Sequence, residues 1–340
     1  MLHKISAVTF TLVMILLFSS IPVFAAAKVE LDTSLGWNSA DPDISWGAGF
    51  VMSGDWSLGP NWAFFLKDTL SASQAEQEWQ GTLDRCYIRY ERGAVRANLG
   101  RQGVTWGIGW FFRPTDLITP IVPLAEEATR PGKDLAVLRW STSSLTATDF
   151  IAGDRIYAAR TEWRIGPTNL RLLGLYQAED INAVGFDFQG GLAGLYGEGA
   201  YRWADGEDFD QGRFAGLIGW KKIVFSGSQL FVEYFRNELS GADSRLADLL
   251  SQNKNQAQNY ANRNYLAVGL QVPWDQLTTF AITGISNLDD GGIILTGTVT
   301  WQLTDNLDIR GTLMTTAGPE GTEFNSASSV SALVELKYYF

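Results

Sequence analysis

The chain has 340 residues, of which 37 are Asp or Glu and 26 are Lys or Arg, so its formal net charge is −11. This acidic balance argues against nucleic-acid binding, because that function needs a basic face. The single cysteine, Cys86, rules out a disulfide within the chain, and the single histidine is His3.

The N-terminal residues have the three-part layout of a secretory signal peptide. A basic start, MLHK, precedes the apolar run ISAVTFTLVMILLF, and small residues follow at 25–27. The run is shorter than the roughly 20 residues that a membrane-spanning helix needs. We therefore predict that residues 1–26 are a signal peptide and that residues 27–340 form a single domain.

Removal of His3 with this segment leaves the domain without histidine, the commonest general base and metal ligand in proteins. A Ser-His-Asp site, a Cys-His site and a zinc site of the usual kind are then excluded. A carboxylate or Ser-Lys mechanism remains open. We predict that the protein is not an enzyme and that it needs no metal and no cofactor.

The rest of the chain consists of segments of about ten residues in which apolar and polar side chains alternate, a pattern typical of a transmembrane β-barrel. In 291–303, for example, Ile293, Leu295 and Val299 share one face and threonines occupy the other. The pattern predicts an all-β, antiparallel, up-and-down transmembrane barrel of 18 strands, with 16 strands as the alternative and both termini in the periplasm. The candidate strands are 28–37, 44–56, 60–70, 80–91, 94–104, 134–142, 144–152, 155–165, 168–178, 181–189, 192–204, 211–222, 228–238, 262–272, 277–287, 291–303, 306–316 and 328–340.

The connections between these segments alternate in length. Short turns such as 91–94 and 166–167 would lie at the periplasmic end, and longer loops such as 106–133 and 239–261 at the extracellular end. Tryptophans cluster near strand ends, which favours an interfacial aromatic girdle over the core of a soluble sandwich. The tryptophans assigned to this girdle are Trp37, Trp46, Trp56, Trp62, Trp79, Trp106, Trp203, Trp220 and Trp301.

Loop 106–133 is unusually apolar for a long connection and contains four prolines. We predict that it folds into the lumen; the alternatives are a lid over the mouth of the barrel or a rim contact with a partner. Its predicted pore-lining residues are Arg113, Asp116, Glu126, Glu127 and Arg130.

Arginines follow the inward face of the neighbouring strands. Opposed charges across a narrow pore would orient dipolar solutes and filter ions; in the alternative, the arginines form structural salt bridges in a closed barrel. Arg101 falls on the lipid side by strict alternation, so we expect a bulge near Gly100 or an exit into the rim there. The wall residues predicted to line the pore are Arg85, Arg89, Arg96, Arg101, Arg160, Glu162, Arg164 and Arg171.

The last strand, 328–340, ends in alternating apolar residues and a terminal phenylalanine. It resembles the terminal strand of Gram-negative outer-membrane proteins, which implies recognition by the barrel-assembly machinery through Val334, Leu336, Tyr338 and Phe340. The segment Gly-Arg-Gln at 100–102, followed by Trp-Gly at 106–107 and Pro-Thr-Asp at 114–116, is similar to a segment of porin-like and alginate-export-like barrels. In porins of the general type, the third loop narrows the lumen.

These observations predict a porin-like channel in the bacterial outer membrane for the passive diffusion of small polar or charged solutes. Loop 106–133 would be its constriction. One alternative is a substrate-specific export or uptake barrel for an anionic polysaccharide or a similar ligand, and another is a structural or adhesive barrel. The expected partners are outer-membrane lipid, the assembly machinery and small polar solutes, with a homotrimer as an open possibility.

Overall fold

The computed structural model describes residues 28–39, 41–73, 79–119, 132–191, 194–238, 260–324 and 330–340. Eighteen strands in these ranges join in one sheet, so the predicted number is confirmed and the alternative of 16 is wrong. The predicted signal peptide lies outside the described residues. The strands are β1 (Lys28–Asn38), β2 (Asp41–Gly59), β3 (Trp62–Ser73), β4 (Gln80–Arg92), β5 (Val95–Gln102), β6 (Lys133–Ser143), β7 (Thr146–Gly153), β8 (Ile156–Ile165), β9 (Thr168–Gln177), β10 (Ile181–Gln189), β11 (Leu195–Ala204), β12 (Arg213–Ile223), β13 (Gln229–Asn237), β14 (Asn264–Pro273), β15 (Thr278–Asn287), β16 (Ile293–Thr304), β17 (Leu307–Ala317) and β18 (Val330–Tyr339).

Each strand pairs antiparallel with the next one along the chain, and β1 pairs antiparallel with β18, which closes the barrel. At this seam the amide of Phe340 donates to the carbonyl oxygen of Val29 at 3.0 Å. The ammonium of Lys337 lies 3.2 Å from Glu30 Oε1 across the same seam. Closure leaves no strand with unpaired backbone groups along an edge.

The two faces of the sheet differ in chemistry, as the alternating pattern predicts. Large apolar side chains cover the outside and are well exposed there, for example Leu99, Ile218, Ile282 and Leu313. The inward positions hold the ion pairs of the barrel, such as Arg171 with Asp187, together with buried apolar side chains such as Leu173 and Phe235. This arrangement suits a cylinder with hydrocarbon outside and water inside. The predicted assembly residues all lie on the outward face at the seam: Val334, Leu336, Tyr338 and Phe340.

The aromatic girdle agrees with the sequence at most positions. Trp37, Trp46, Trp62, Trp79 and Trp301 are exposed, and so are two tryptophans that the prediction omitted, Trp140 and Trp274. One assignment needs correction, because Trp106 is buried in the loop after β5. Trp56 is on the same outward face of β2 as Phe50, although its ring is covered where it stacks on Phe64.

The connections obey the predicted alternation. The end that carries both termini has only short turns, and the opposite end has the long connections 103–132, 238–263 and 318–329. We name these the periplasmic and the extracellular end. Because β2 begins at Asp41, the first extracellular connection is shorter than the gap between the predicted strands 28–37 and 44–56. No helix in the described part of the chain is long and apolar enough to span a membrane.

Candidate functional site

Residues 103–119, which follow β5, lie inside the barrel; we name them the lumen segment. Their backbone amides reach side chains that point inward from distant strands. The amide of Ile108 donates to Glu198 on β11 at 2.8 Å, and the amide of Phe111 donates to Glu233 on β13 at 2.9 Å. The described part of loop 106–133 therefore packs against the inner wall.

Glu233 is the principal anchor of the lumen segment. Its carboxylate accepts the amides of Trp110, Phe111 and Phe112 at 2.5, 2.9 and 3.2 Å, and the hydroxyl of Tyr196 at 2.7 Å. The side chain is fully buried. Hydrogen bonds to a charged group contribute roughly 1.5–3 kcal/mol each, and they do not add simply when they share one acceptor. Three successive amides on one carboxylate fix the local backbone.

Glu198 and Arg202 form a second anchor on β11. Glu198 Oε2 accepts the Ile108 amide and, at 2.7 Å, the hydroxyl of Thr115. The guanidinium of Arg202 donates to the carbonyl oxygen of Pro114. Because Ile108 and Thr115 lie on opposite limbs of the lumen segment, one carboxylate holds the two limbs together against the wall.

The lumen segment also closes on itself. The amide of Val104 donates to the hydroxyl of Thr119 at 2.7 Å, and the amide of Trp106 donates to Asp116 at 3.3 Å. Asp116 is only 3 % exposed, so its carboxylate is buried and little of it borders the open lumen. Arg113 donates to the carbonyl oxygen of Gly109 at 2.7 Å.

Aromatic stacking completes the attachment. Phe112 is fully buried and stacks on Phe235 of β13, with ring centroids 4.6 Å apart. Trp110 stacks on Phe231 at 4.4 Å, and the ammonium of Lys221 lies 4.3 Å from the Trp110 ring centroid. Such ring pairs contribute about 0.5–1.5 kcal/mol beyond the area that they bury.

A second set of contacts joins the connections at the extracellular end of β13–β15. Glu323, from the connection after β17, accepts the amide of Ala261, the hydroxyl of Tyr265 and the side-chain amide of Asn287 at 2.7–2.8 Å. Asp289 lies in the turn after β15, and a hydrogen bond from the side chain of Asn264 holds the pKa of its carboxyl below the usual range. These residues tie three connections together on one side of the mouth.

The inward arginines of β6–β9 form a continuous chain of ion pairs with carboxylates of the same wall. Asp149 lies 3.1 Å from both Arg139 and Arg160. Arg171 lies 3.1 Å from Glu162 and 2.6 Å from Asp187. Three of these charges were predicted from the sequence, namely Arg160, Glu162 and Arg171. Their partners Arg139, Asp149 and Asp187 were not.

The other predicted wall residues are distributed along the barrel. Arg89 lies 3.5 Å from Asp55. Arg96 makes two hydrogen bonds to Glu91 near the periplasmic end. Arg85 occupies an inward position beside the start of the lumen segment, where a side chain at Gly103 would meet its guanidinium. Arg164 is near the periplasmic end of β8, with its Nε 3.4 Å from Asn169 Oδ1.

Arg101 is a correction among the predicted pore-lining residues. It pairs in register with Cys86 and Asp134, both at outward positions, and no register shift occurs between β4 and β5. Its Nε donates to the carbonyl oxygen of Gly132 at 3.1 Å, at the extracellular end of the strand. Of the two expectations for Arg101, the exit into the rim agrees with the structure. The expected bulge near Gly100 is absent from the pairing of β4 with β5. The predicted residues Glu126, Glu127 and Arg130 lie outside the described residues.

Comparison with known proteins places the fold in context. No protein-family model and no curated protein matches this sequence. Three similar solved structures come from Pseudomonas aeruginosa. OccK2 (OpdF) in complex with glucuronate has a TM-score of 0.63 and 10% identity, and covers 93% of this chain and 97% of its own. OccK5 (OpdH) has a TM-score of 0.65 and 9% identity, with coverage of 93% and 97%. OpdK with vanillate has a TM-score of 0.61 and 9% identity, with coverage of 92% and 98%.

These neighbours are outer-membrane porins. At such low identity the likeness concerns the fold, and it confirms the prediction of a porin-like barrel. The closed barrel and its neighbours also support the predicted location in the bacterial outer membrane.

Proposed function

We propose that the protein is an outer-membrane channel through which small polar or charged solutes diffuse passively. Loop 106–133 is its constriction, and the arginine-bearing wall of β4, β5, β8 and β9 lines the passage. The observation that carries this proposal is the attachment of the lumen segment to the buried carboxylates Glu198 and Glu233. A segment held inside a barrel by two buried anchors narrows the passage without sealing it by strand pairing.

The solutes are best described by their chemistry. Among the neighbours, the OccK2 structure contains glucuronate and the OpdK structure contains vanillate, and both are small carboxylates. In this chain, Arg85, Arg89 and Arg96 point inward and are partly exposed to the lumen, which suits small solutes that carry a carboxylate. Guanidinium groups bind carboxylates through paired hydrogen bonds.

A barrel for an anionic polysaccharide fits the structure less well. Such a passage would need a run of arginines with little opposing acid. Here the inward arginines of β6–β9 are matched by Asp149, Glu162 and Asp187 at 2.6–3.1 Å. The electrostatic field that a polyanion would follow is thereby largely cancelled.

Planar-bilayer recording of the refolded protein tests the proposal. We expect discrete conductance steps and a reproducible reversal potential in a salt gradient. Replacing both Glu126 and Glu127 with Gln should shift that potential, since the proposal places this part of the loop at the constriction. The absence of discrete steps would refute the channel. An unchanged reversal potential in the variant would remove these two residues from the constriction.

A further inference from the structure

The inward-facing side chains are not equally buried around the barrel. On β11–β14 they are packed beneath the lumen segment and the connections that Glu323 joins: Glu198, Glu233, Phe235 and Ala267 are each at most 1 % exposed. On β16–β18 the inward positions are partly exposed instead, as at Thr298, Thr312 and Glu335. The space that the described residues leave open in the lumen is therefore displaced toward the seam.

We propose that solutes pass along this seam side, over the inner surface of β16–β18 and β1, and that charged residues at the seam determine ion preference. The inference rests on the proposed channel function and identifies the wall that solutes touch. It adds residues that the arginine-bearing wall does not include.

The extracellular half of this path is lined by uncharged side chains, most of them polar. Thr298 pairs with Thr312, and Ser331 pairs with Asn38 on β1. The apolar side chains of Met314 and Leu333 share these inward rows. The hydroxyls of Thr298 and Thr312 lie 3.4 Å apart. In this half of the four strands, the described inward positions carry no ionisable side chain. Since a hydroxyl both donates and accepts, these groups replace part of the hydration shell of a passing polar solute.

The periplasmic half of the same path carries a band of ion pairs, which we name the seam band. Arg310 lies 3.5 Å from Glu335, and Lys337 lies 3.2 Å from Glu30 and 3.9 Å from Asp32. These five side chains are 11–34% exposed, so solvent reaches all of them.

Three carboxylates and two cations give the seam band a net charge of −1 (two minus three). Unlike the chain of ion pairs on β6–β10, which contains three arginines and three carboxylates, the band is not neutral. Its field attracts cations, whereas the arginine-bearing wall attracts the carboxylate of a solute, so the two sides of the passage carry opposite signs.

Cysteine accessibility locates the path directly. In a Cys86→Ala background, Thr298→Cys and Thr312→Cys place one near-isosteric thiol in the hydroxyl-lined half. A methanethiosulfonate reagent forms a disulfide with the thiolate and releases sulfinate. We expect a stepwise loss of conductance after the reagent is added to open channels.

Two controls are matched in size. Thr148→Cys alters an outward threonine, whose hydroxyl lies 3.2 Å from that of Thr161, and Ala267→Cys alters a buried inward residue on the filled side. Neither should change conductance on treatment. Heat-dependent mobility in detergent gels verifies that each variant is folded.

A second measurement avoids cysteine altogether. Glu335→Gln should shift the reversal potential toward anions and Arg310→Gln toward cations, while Glu179→Gln, in an exposed extracellular turn, should leave it unchanged. The proposed path would be wrong if channels open but neither thiol modification at the two threonines nor the two seam substitutions changes conductance or reversal potential. The proposed channel function would survive that result. A protein without any conductance would overturn the proposed function, and this inference with it.

Discussion

The amide of Phe111 donates to the carboxylate of Glu233 across 2.9 Å and joins residues 122 positions apart in the chain. This contact turns a loop at the extracellular end into a fixed part of the barrel interior. It also places a fully buried carboxyl group where three backbone amides converge.

Glu233→Gln should loosen the lumen segment. The amide nitrogen of glutamine is a donor, so it would face backbone amides that are also donors. At least one hydrogen bond to a charged group is then lost, which lowers the stability of the attachment by about 1.5–3 kcal/mol. We expect higher mean conductance and larger open-channel current noise in bilayer recordings. Glu179→Gln, an exposed carboxylate in an extracellular turn, is the control. Identical current noise in both variants would show that Glu233 does not hold the segment.

Phe112→Ala should detach the lumen segment without unfolding the barrel. Replacing a fully buried phenylalanine with alanine lowers stability by about 3–5 kcal/mol. Because the lumen segment forms no strand pairing with the wall, this loss weakens its attachment and leaves the strand pairing of the barrel intact. We expect proteolytic cleavage between 103 and 119, with unchanged heat-dependent gel mobility. Phe150→Ala, an outward and exposed position, serves as the comparison. Resistance of the Phe112 variant to protease would contradict the prediction.

Asp149→Asn should make the passage more selective for anions. The change leaves Arg139 and Arg160 without the carboxylate that lies 3.1 Å from each, and breaking an ion pair with so little exposure costs about 3 kcal/mol. The reversal potential in a salt gradient measures the shift. If it stays at the wild-type value, the ion pairs of β6–β9 are structural and lie off the path.

Deletion of Phe340 should lower the amount of assembled protein in the outer membrane severalfold. The residue contributes the last backbone hydrogen bond at the seam and an edge-on ring contact with Tyr338. Quantification of the heat-modifiable form in membrane fractions tests this. Tyr339→Phe, which alters an inward side chain of the same strand, is the control. Equal amounts of assembled protein would argue against recognition through the terminal residue.

Much of this architecture can be predicted from the sequence because every position on the outer surface of the barrel must meet the same requirement for an apolar side chain. Lipid-facing positions must be apolar at every second residue, so all eighteen strands were predicted within a few residues. The inner surface has no such uniformity. In β11, Glu198 lies between Gly197 and Gly199, and rings of Phe188 and Phe214 cover the outward side of these two glycines. The sequence of β11 therefore lacks the large outward side chains that mark the alternation in other strands.

The anchors of the lumen segment could not be predicted for a further reason. Ile108 and Glu198 are 90 positions apart, and nothing near either residue marks the other as its partner. The signal that was available is the inward charge itself: a carboxylate at mid-strand needs a donor, and backbone amides of a loop inside the lumen can supply one. Applied to β11 and β13, that rule would have identified Glu198 and Glu233.

The lumen segment is joined to the wall by side chains alone, while the circumference of the cylinder is set by backbone ladders in which it takes no part. In the proposed channel, the width of the passage and the stability of the barrel therefore depend on separate sets of residues. Substitution of a few anchor residues would then change the size of the solute that passes, with insertion into lipid left untouched.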